Sequence, residues 1–130
     1  SIPKEGCIDT PITENGVPKP ALSAYKLLVS TDAYSLFSVR LHTGRMHQIR
    51  IHLAGIGCPI IGDDKHGNFA LNKQLWKTAR IKKLQLCAYR LRFPIGGTLR
   101  LFTVPAPEHI QAAIDVLMPE KNSQLRITDS

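Results

Sequence analysis

Long apolar runs are missing from this sequence, as are paired cysteines, internal repeats and low-complexity tracts. No stretch approaches the roughly 20 apolar residues that a membrane-spanning helix needs. No signal peptide opens the chain, so we expect no membrane association. The three cysteines are odd in number, far apart and without a CxxC pair. This usage favours free, buried thiols in a reducing compartment such as the cytoplasm.

Acidic residues are fewer than basic ones. The sequence has 10 Asp and Glu and 17 Lys and Arg, which gives a net charge of +7. The excess of positive charge favours an anionic partner, with nucleic acid ahead of acidic lipid and of simple solubility. The apolar fraction of 43% indicates a globular chain. A length of 130 residues is enough for one domain with one core.

The hydrophobic periodicity predicts an α+β fold, with a largely antiparallel mixed sheet flanked by helices. In the first helix, Ile49, Leu53 and Ile56 should form one buried face. The polar residues 119–130 should form a flexible tail after a single domain over 1–118. The predicted elements are an irregular lead-in over 1–20, a hairpin of strands over 23–29 and 34–41, a helix from Met46 with Gly57 just past its end, a helix over 69–81 that carries Trp76, strands over 84–93 and 98–104 joined through Gly96-Gly97, and a helix over 107–117.

The segment LHTGRMHQIRIHLAGIGCPIIGDDKHG, residues 41–67, contains four of the five histidines. Within it, Arg45 and Arg50 bracket His47 and Gln48 at the start of a predicted helix. A helix N-terminus offers free N–H donors and a positive dipole end, and added arginine makes it a candidate site for phosphate or carboxylate. A partly buried guanidinium at Arg50 needs a carboxylate partner, because an unpaired one is costly.

Other interpretations of this segment stay open. A metal site is disfavoured, because His42, His47 and His52 are five residues apart while ligands on one helix face need three or four. The histidines can equally be structural, and the arginines can be solvated surface charges. In GDDKHG, the adjacent Asp63 and Asp64 should diverge. This favours a turn capped by an aspartate over a divalent-cation site.

The stretch GRMHQIRIHLAGIGCPIIGDDKHG resembles the motif of RluA-type pseudouridine synthases, roughly G-R-x-H-Q-[IL]-R-x-H followed by G-x-P-[IL]-x-G-D-x-x-Y-G. CIDTPI, LQLCAYRLRFP and LRLFTVPAPEHI are similar to flanking segments of the family, so the resemblance extends over 6–117. It implies that residues 1–118 are the C-terminal part of the catalytic domain. The implied reaction isomerises uridine to pseudouridine in ribosomal or transfer RNA, with no metal or organic cofactor. The uridine is flipped out, and its base is detached, turned and rejoined through carbon.

The resemblance also implies roles for individual residues. By position, Arg50 would form an ion pair with the family's catalytic aspartate and keep it ionised. Arg45, His47 and Gln48 would face RNA phosphate or the active-site cleft, and we expect Lys65 to join Arg45 in salt-sensitive RNA binding.

Leu86 matches an apolar position that lines the uracil pocket in the family, although a plain core position is an equal alternative. The chain departs from the family pattern at His66, where Tyr is usual, and at Cys87, where His is usual. The H-R-L-D-x-x-T-S-G motif that holds the catalytic aspartate and the K-x-Y-x-A motif are absent from these 130 residues. We therefore expect the chain alone to be inactive, and Arg50 to point into an open cleft without a carboxylate partner.

Two further classes of function remain open at this point. One is a non-catalytic RNA-binding module that keeps a basic cleft. The other is a half-domain that associates with the missing N-terminal half of the catalytic domain or with a second chain.

Overall fold

The computed structural model describes residues 2–86, 90–95, 98–103 and 108–119. Antiparallel sheets and helices in these ranges confirm the predicted α+β class. The chain divides into two compact units, Ser1–Leu84 and Gln85–Ser130. The elements in chain order are β1 (Glu5–Ile8), β2 (Ile12–Glu14), β3 (Val17–Lys19), β4 (Ser23–Ser30), β5 (Ser35–Leu41), α1 (Gln48–Gly55), α2 (Phe69–Ala79), β6 (Arg90–Ile95), β7 (Thr98–Thr103) and α3 (Glu108–Leu117).

The main sheet of the first unit has the strand order β1-β4-β5 and is antiparallel throughout. Its β4-β5 pair is the predicted hairpin, with Tyr25 opposite Val39, and a bulge lies between Leu27 and Val29. In the connecting turn, the Thr31 N–H donates to the Tyr34 carbonyl at 2.8 Å. The alternation of apolar and polar residues therefore predicted this pairing correctly.

The expectation of an irregular lead-in over residues 1–20 is wrong. β1 pairs with β4, and β2 and β3 form a hairpin of their own. Asn15 and Gly16 connect β2 to β3 with φ values of 52° and 77°. Positive φ at both central residues is the signature of a type I′ turn, which an Asn-Gly pair favours strongly. Pro18 is tolerated because a two-stranded sheet leaves one side of each strand unpaired.

Helix α1 begins at Gln48, two residues later than the sequence predicted, and ends as expected before Gly57. Gly57 has a φ of +83°. Its N–H donates to the Ala54 carbonyl at 3.0 Å, and the Cys58 N–H donates to the Leu53 carbonyl at 2.9 Å. These two bonds form the motif in which a left-handed glycine closes a helix C-terminus.

The buried face of α1 differs from the predicted apolar stripe. Leu53 is buried as expected, but Ile49 and Ile56 are half-buried. Two polar residues, Gln48 and His52, are buried instead. Buried polar groups are stable when they are hydrogen-bonded, and both residues have partners in the preceding strands and loops. Periodicity of apolar residues alone gives no sign of such a polar network.

Helix α2 confirms the predicted second helix. Asn68 caps its start, because its Oδ1 accepts the Leu71 N–H at 3.0 Å. The helix ends at Arg80, which has a φ of +57°. Leu75 is the buried apolar anchor of this helix, while Phe69 and Trp76 are exposed.

In the second unit, β6 and β7 pair antiparallel, and the described strand β6 begins at Arg90 rather than at residue 84. The linker Gly96-Gly97 and residues 120–130 of the predicted tail lie outside the described residues. Helix α3 buries Ile110, Ala113 and Ile114. The spacing of apolar residues predicts Ile110, Ala113, Ile114 and Leu117 as the apolar stripe of this helix, and of these Leu117 is half-buried rather than buried.

Cys7 and Cys58 are free, as expected, but Cys7 is exposed and Cys58 is half-buried. The prediction of buried thiols is therefore wrong for Cys7, which alternates with inward-facing Ile8 on β1. Cys87 lies outside the described residues. Among the described residues, none of the helices combines the length and hydrophobicity that crossing a bilayer requires.

Candidate functional site

The loop between β5 and α1 brings the histidine- and arginine-rich segment against the rest of the first unit. Thr43 anchors it, because its Oγ1 accepts the Leu22 N–H at 2.9 Å and donates to Oε1 of Gln48 at 2.7 Å. Glu14 from the β2-β3 hairpin accepts the Met46 N–H at 3.0 Å. The hairpin that the sequence did not predict therefore helps to hold the entry to α1.

Gln48 occupies the first turn of α1 and is 3% exposed. Its Oε1 also accepts the Arg45 N–H at 3.0 Å, and its Nε2 donates to the Leu22 carbonyl at 3.0 Å and to Ser23 Oγ at 2.9 Å. With the Thr43 bond, these contacts use two acceptor and two donor positions of the amide. The expectation that Gln48 faces RNA phosphate or the active-site cleft is therefore wrong, because the side chain is enclosed and its hydrogen bonds are made inside the chain.

His52, one turn further along α1, extends this network and is 1% exposed. Its Nε2 lies 2.8 Å from the Thr10 carbonyl, and its Nδ1 lies 2.8 Å from Ser23 Oγ. A carbonyl can only accept, so Nε2 carries a proton. Ser23 accepts from Gln48 and can donate its own proton to Nδ1. His52 is therefore a structural histidine, one of the alternatives that the sequence left open.

Arg50 projects from α1 onto the turn that follows the helix. Its Nε lies 3.0 Å from Oδ2 of Asp63 and its Nη2 lies 2.6 Å from Oδ1, a two-point ion pair. Nη2 also lies 3.3 Å from Oδ1 of Asp64. The expectation that Arg50 has no carboxylate partner in this chain is wrong. The expected divergence of the two aspartates is also wrong, because both reach the same guanidinium.

Asp63 is fully buried, and its carboxylate also organises the backbone of the turn. Oδ1 accepts the N–H groups of Lys65 and His66, each at 3.0 Å. Hydrogen bonding from Arg50, followed by these backbone bonds, lowers the pKa of Asp63 well below its usual range despite the opposing effect of burial. The prediction that an aspartate caps the GDDKHG turn is confirmed.

Asn72 of α2 fixes the same turn from the other side. Its Oδ1 accepts the Gly62 N–H and its Nδ2 donates to the Asp63 carbonyl, both at 3.0 Å. Gly62 itself has a φ of +84°, and a Cβ there would overlap the Lys83 carbonyl. The turn over residues 62–67, called here the Asp63 turn, is thus held by both helices of the first unit.

His47 lies at the N-cap of α1 with a φ of +55°, which is unusual for a residue other than glycine. Its Nδ1 lies 3.3 Å from Nε2 of His66, so one ring must donate to the other. Partial burial lowers the pKa of His47, and the electrostatic effects of Arg50, Lys65 and His66 lower it further. Left-handed backbone at such a residue costs about 1–2 kcal/mol and often marks a functional position.

The remaining predicted residues have different surroundings. Arg45 donates from Nε to the Pro20 carbonyl at 2.7 Å, and its Nη1 lies 3.9 Å from Glu14. These contacts hold part of its guanidinium inside the chain, while the side chain is 31% exposed, so its expected contact with RNA stays a prediction. Lys65 is exposed at the Asp63 turn, next to half-buried His66. Leu86 is half-buried and belongs to the second unit.

Five side chains that matter for this geometry were not singled out as site residues by the sequence: Glu14, Ser23, Thr43, Asp63 and Asn72. Asp63 could have been identified from the sequence, because a partly buried Arg50 needs a carboxylate partner and Asp63 lies only 13 residues away. The others are distant in sequence and carry no motif of their own. Among the described residues, no group of three or more His, Cys, Asp or Glu is placed to hold a metal ion.

The chain is similar in sequence to bacterial proteins named as pseudouridine synthases. It is 35% identical over 126 residues to an "Uncharacterized RNA pseudouridine synthase" of Chloroflexus aurantiacus, covering 86% of this chain and 37% of that protein. It is 31% identical over 129 residues to "Ribosomal large subunit pseudouridine synthase D" of Nitrosomonas europaea, covering 88% and 37%. The chain belongs to the RluA-type pseudouridine synthase family.

Solved structures of low sequence identity share the fold of this family member. The human RNA Pseudouridylate Synthase Domain Containing 4 has a TM-score of 0.69 at 24% identity, covering 88% of this chain and 56% of that one. The corresponding human Domain Containing 1 protein has a TM-score of 0.65 at 22% identity, covering 81% and 49%. No family model matches the chain. The chain spans a little over a third of the length of the two bacterial relatives, 37% of each.

Proposed function

We propose that this chain is the part of an RNA pseudouridine synthase that binds RNA beside the reacting uridine, in ribosomal or transfer RNA. The observation that carries the proposal is the 31% identity to a ribosomal large subunit pseudouridine synthase D over 129 residues. The match spans nearly the whole chain and includes the segment that forms the Asp63 turn and the start of α1. The name of this relative indicates that it modifies ribosomal RNA. The net charge of +7 on the present chain favours binding to RNA, which is an anion.

The residues best placed for RNA contact are Lys65 and the pair formed by His47 and His66. Lys65 is exposed and the two histidines are half-buried, so all three can be reached from solvent. Arg45 and Gln48 have their hydrogen bonds inside the chain and serve to position the loop. Arg50 offsets the charge of buried Asp63, and Lys65 offsets that of exposed Asp64, so phosphate oxygens would be bound here by Lys65 and by imidazole N–H groups rather than by a large excess of positive charge.

Arg50 is best described as a positioning residue in this proposal. Its guanidinium holds the Asp63 turn and thereby sets the backbone of Lys65 and His66. The two-point geometry suits arginine specifically, because the fork of the guanidinium matches both oxygens of a carboxylate. Asp63 is its partner within these 130 residues, and a contact of Arg50 with the aspartate of the family motif stays a prediction.

The chemistry itself requires an aspartate that these 130 residues do not offer. None of the six aspartates stands in the H-R-L-D context of the family motif. Asp63, which is buried, is engaged by Arg50 and by two backbone N–H groups, so it is not available to attack a ribose or a base. We infer that the segment with the catalytic aspartate must be supplied from elsewhere in the catalytic domain or by a second chain.

A chimera tests the proposal directly. The matching segment of the Nitrosomonas europaea synthase is replaced by these 130 residues, and pseudouridine is mapped chemically in ribosomal RNA. We expect the chimera to be active and the isolated 130-residue chain to be inactive under the same conditions. The matched control is the chimera with the relative's catalytic aspartate changed to Asn, which should be inactive.

Two outcomes would contradict the proposal. Pseudouridine formation by the isolated chain would show that the aspartate is not needed. A chimera that folds and binds RNA but makes no pseudouridine would favour a non-catalytic RNA-binding module. Circular dichroism and a thermal melt establish that each protein is folded before its activity is compared.

A further inference from the structure

Two large aromatic side chains are exposed on one face of α2. Phe69 is 59% exposed and Trp76 is 44% exposed. They are seven residues apart, which is close to two helical turns and places them above one another. Leu75, the buried anchor of the helix, points to a different side. The hydrophobic core therefore does not explain the positions of the two rings.

Cations surround the exposed tryptophan. The Arg80 guanidinium carbon lies 5.0 Å from the centre of the Trp76 ring, and Lys82 Nζ lies 5.8 Å from it. Both distances are in the range of a cation–π contact. Lys73 shares the helix face with Phe69 and Trp76 by its four- and three-residue spacing. We call Phe69, Lys73, Trp76, Arg80 and Lys82 the α2 face.

Acidic residues are absent from the sequence around this face. Residues 65–107 contain nine of the 17 Lys and Arg and no Asp or Glu. Within the part of the chain that the structure describes, no carboxylate forms an ion pair with Lys73, Arg80 or Lys82. The charge of the α2 face is therefore not neutralised locally, and an anionic partner would be attracted to it.

Exposed aromatic rings among unpaired cations suit one type of partner in particular. Unpaired bases stack on aromatic side chains and on guanidinium planes, while lysines contact the phosphates between them. A duplex hides its bases, and an acidic protein surface offers no flat π-face to the indole. A second copy of this chain would bring like charges together, since its α2 face carries the same cations.

We propose that the α2 face is a docking surface for a single-stranded segment of RNA, with an unpaired base stacked on Trp76. Lys73, Arg80 and Lys82 contact the flanking phosphates. The identity of the partner rests on the proposed function, since RNA is the substrate of the family. The surface itself uses residues other than those of the Asp63 turn, so it would bind a part of the RNA outside the reacting uridine.

Intrinsic fluorescence reports on this surface, because Trp76 is the single tryptophan of the chain. The full chain is titrated with single-stranded oligouridylate of about 12 nucleotides, a length within the range that single-strand binding sites cover. We expect the oligonucleotide to quench the emission of Trp76. Heparin, which has charge but no bases, and duplex RNA of equal length serve as comparisons and should bind with little quenching.

Substitutions separate stacking from charge. Affinity for a labelled oligonucleotide is measured by fluorescence anisotropy. We expect Trp76→Ala to weaken binding about tenfold, and Trp76→Phe to weaken it less, because a base can still stack on phenylalanine. Leu28→Ala removes an equally exposed apolar side chain from β4 and should leave the affinity unchanged.

The charge contribution is tested with two double variants. Lys73→Gln with Lys82→Gln should reduce the salt dependence of binding. Lys26→Gln with Arg40→Gln removes the same charge from the main sheet and should leave that dependence close to the unmodified value. Thermal melts of all variants establish that the fold is kept.

Three results would overturn the proposal. The first is oligonucleotide binding without any change in Trp76 emission together with full affinity of Trp76→Ala. The second is quenching of Trp76 by heparin or duplex RNA to the same degree as by the single strand. The third is that polyglutamate displaces the RNA and itself quenches Trp76 to the same degree.

None of these assays depends on catalysis. An inactive chimera with Trp76 quenched by RNA would contradict the proposed function alone, and an active chimera with an unresponsive Trp76 would contradict this proposal alone.

Discussion

Nη2 of Arg50 lies 2.6 Å from Oδ1 of Asp63, across 13 positions of sequence, in a pair almost fully removed from water. Removing one member leaves the other charge buried without its partner. We expect Asp63→Ala to lower the free energy of unfolding by on the order of 3 kcal/mol. Urea denaturation measures the change, and a double-mutant cycle with Arg50→Ala isolates the pair.

The pair formed by Lys26 and Glu5 is the matched control. Its atoms are 3.7 Å apart, and both side chains are about two-thirds exposed. Solvated pairs of this kind contribute about 0–1 kcal/mol, so Glu5→Ala should have little effect. Equal losses for Asp63→Ala and Glu5→Ala would show that burial of the Arg50 pair has no energetic consequence.

Acid should weaken the same pair. The folded-state pKa of Asp63 lies below its ordinary value of 3.8, so the stabilisation is complete above that value and is lost as pH falls toward the folded pKa. In Asp63→Asn, the acid limb of the stability profile should be shallower than in the unmodified chain. Identical acid limbs in the two proteins would contradict the assignment of the pKa shift to Arg50.

His47 predicts a second pH dependence, nearer neutrality. Its folded-state pKa is lowered from the ordinary value of 6.5, so the unfolded chain binds more protons between the two values. Stability should be complete above about pH 6.5 and should fall as pH decreases through the folded pKa. NMR titration of the ring should place its pKa below 6.5, and His66→Asn should raise it because the electrostatic effect of His66 on the ring is removed. A pKa above 6.5 would contradict the environment described here.

Two glycines with almost the same backbone test the packing of the Asp63 turn. Gly57 and Gly62 have φ values of +83° and +84°. A Cβ at Gly57 meets no atom within 4 Å, while one at Gly62 overlaps the Lys83 carbonyl. Gly57→Ala should therefore cost about 1–2 kcal/mol for backbone strain alone. Gly62→Ala should cost clearly more, at least about 3 kcal/mol, since the fixed backbone must move. Equal costs in thermal unfolding would contradict the close approach.

Lys65 and Arg45 should respond differently when RNA binding is measured against salt. Lys65→Ala should lower the magnitude of the slope of log affinity on log salt by about 0.7 for single-stranded RNA, without loss of stability. Arg45→Ala should leave the slope unchanged but lower stability by about 1 kcal/mol, because it loses its bond to the Pro20 carbonyl. A reduced slope with unchanged stability for Arg45→Ala would restore its original assignment as a phosphate contact.

Local patterns in the sequence determined most of the secondary structure. Alternation gave the β4-β5 hairpin, and spacing of apolar residues gave α3. Gly57 gave the end of α1, because a helix terminus depends on a few neighbouring residues. The Asn15-Gly16 turn also depends only on neighbouring residues and could have been predicted. The many prolines around it instead favoured the prediction of an irregular segment.

Contacts between distant residues were decided by the tertiary structure. Arg50 has the carboxylate partner that its partial burial required, but this partner is Asp63, whereas the family motif implied an aspartate outside the chain. Gln48 lies in the same family motif as Arg45 and His47, so the sequence gave it the same expected role. Its burial depends on Leu22 and Ser23, which lie 26 and 25 positions away. A motif records which residue types occur together. Which side chains are desolvated and paired depends on the packing of whole elements, and that packing is set by long-range contacts that no short stretch of sequence contains.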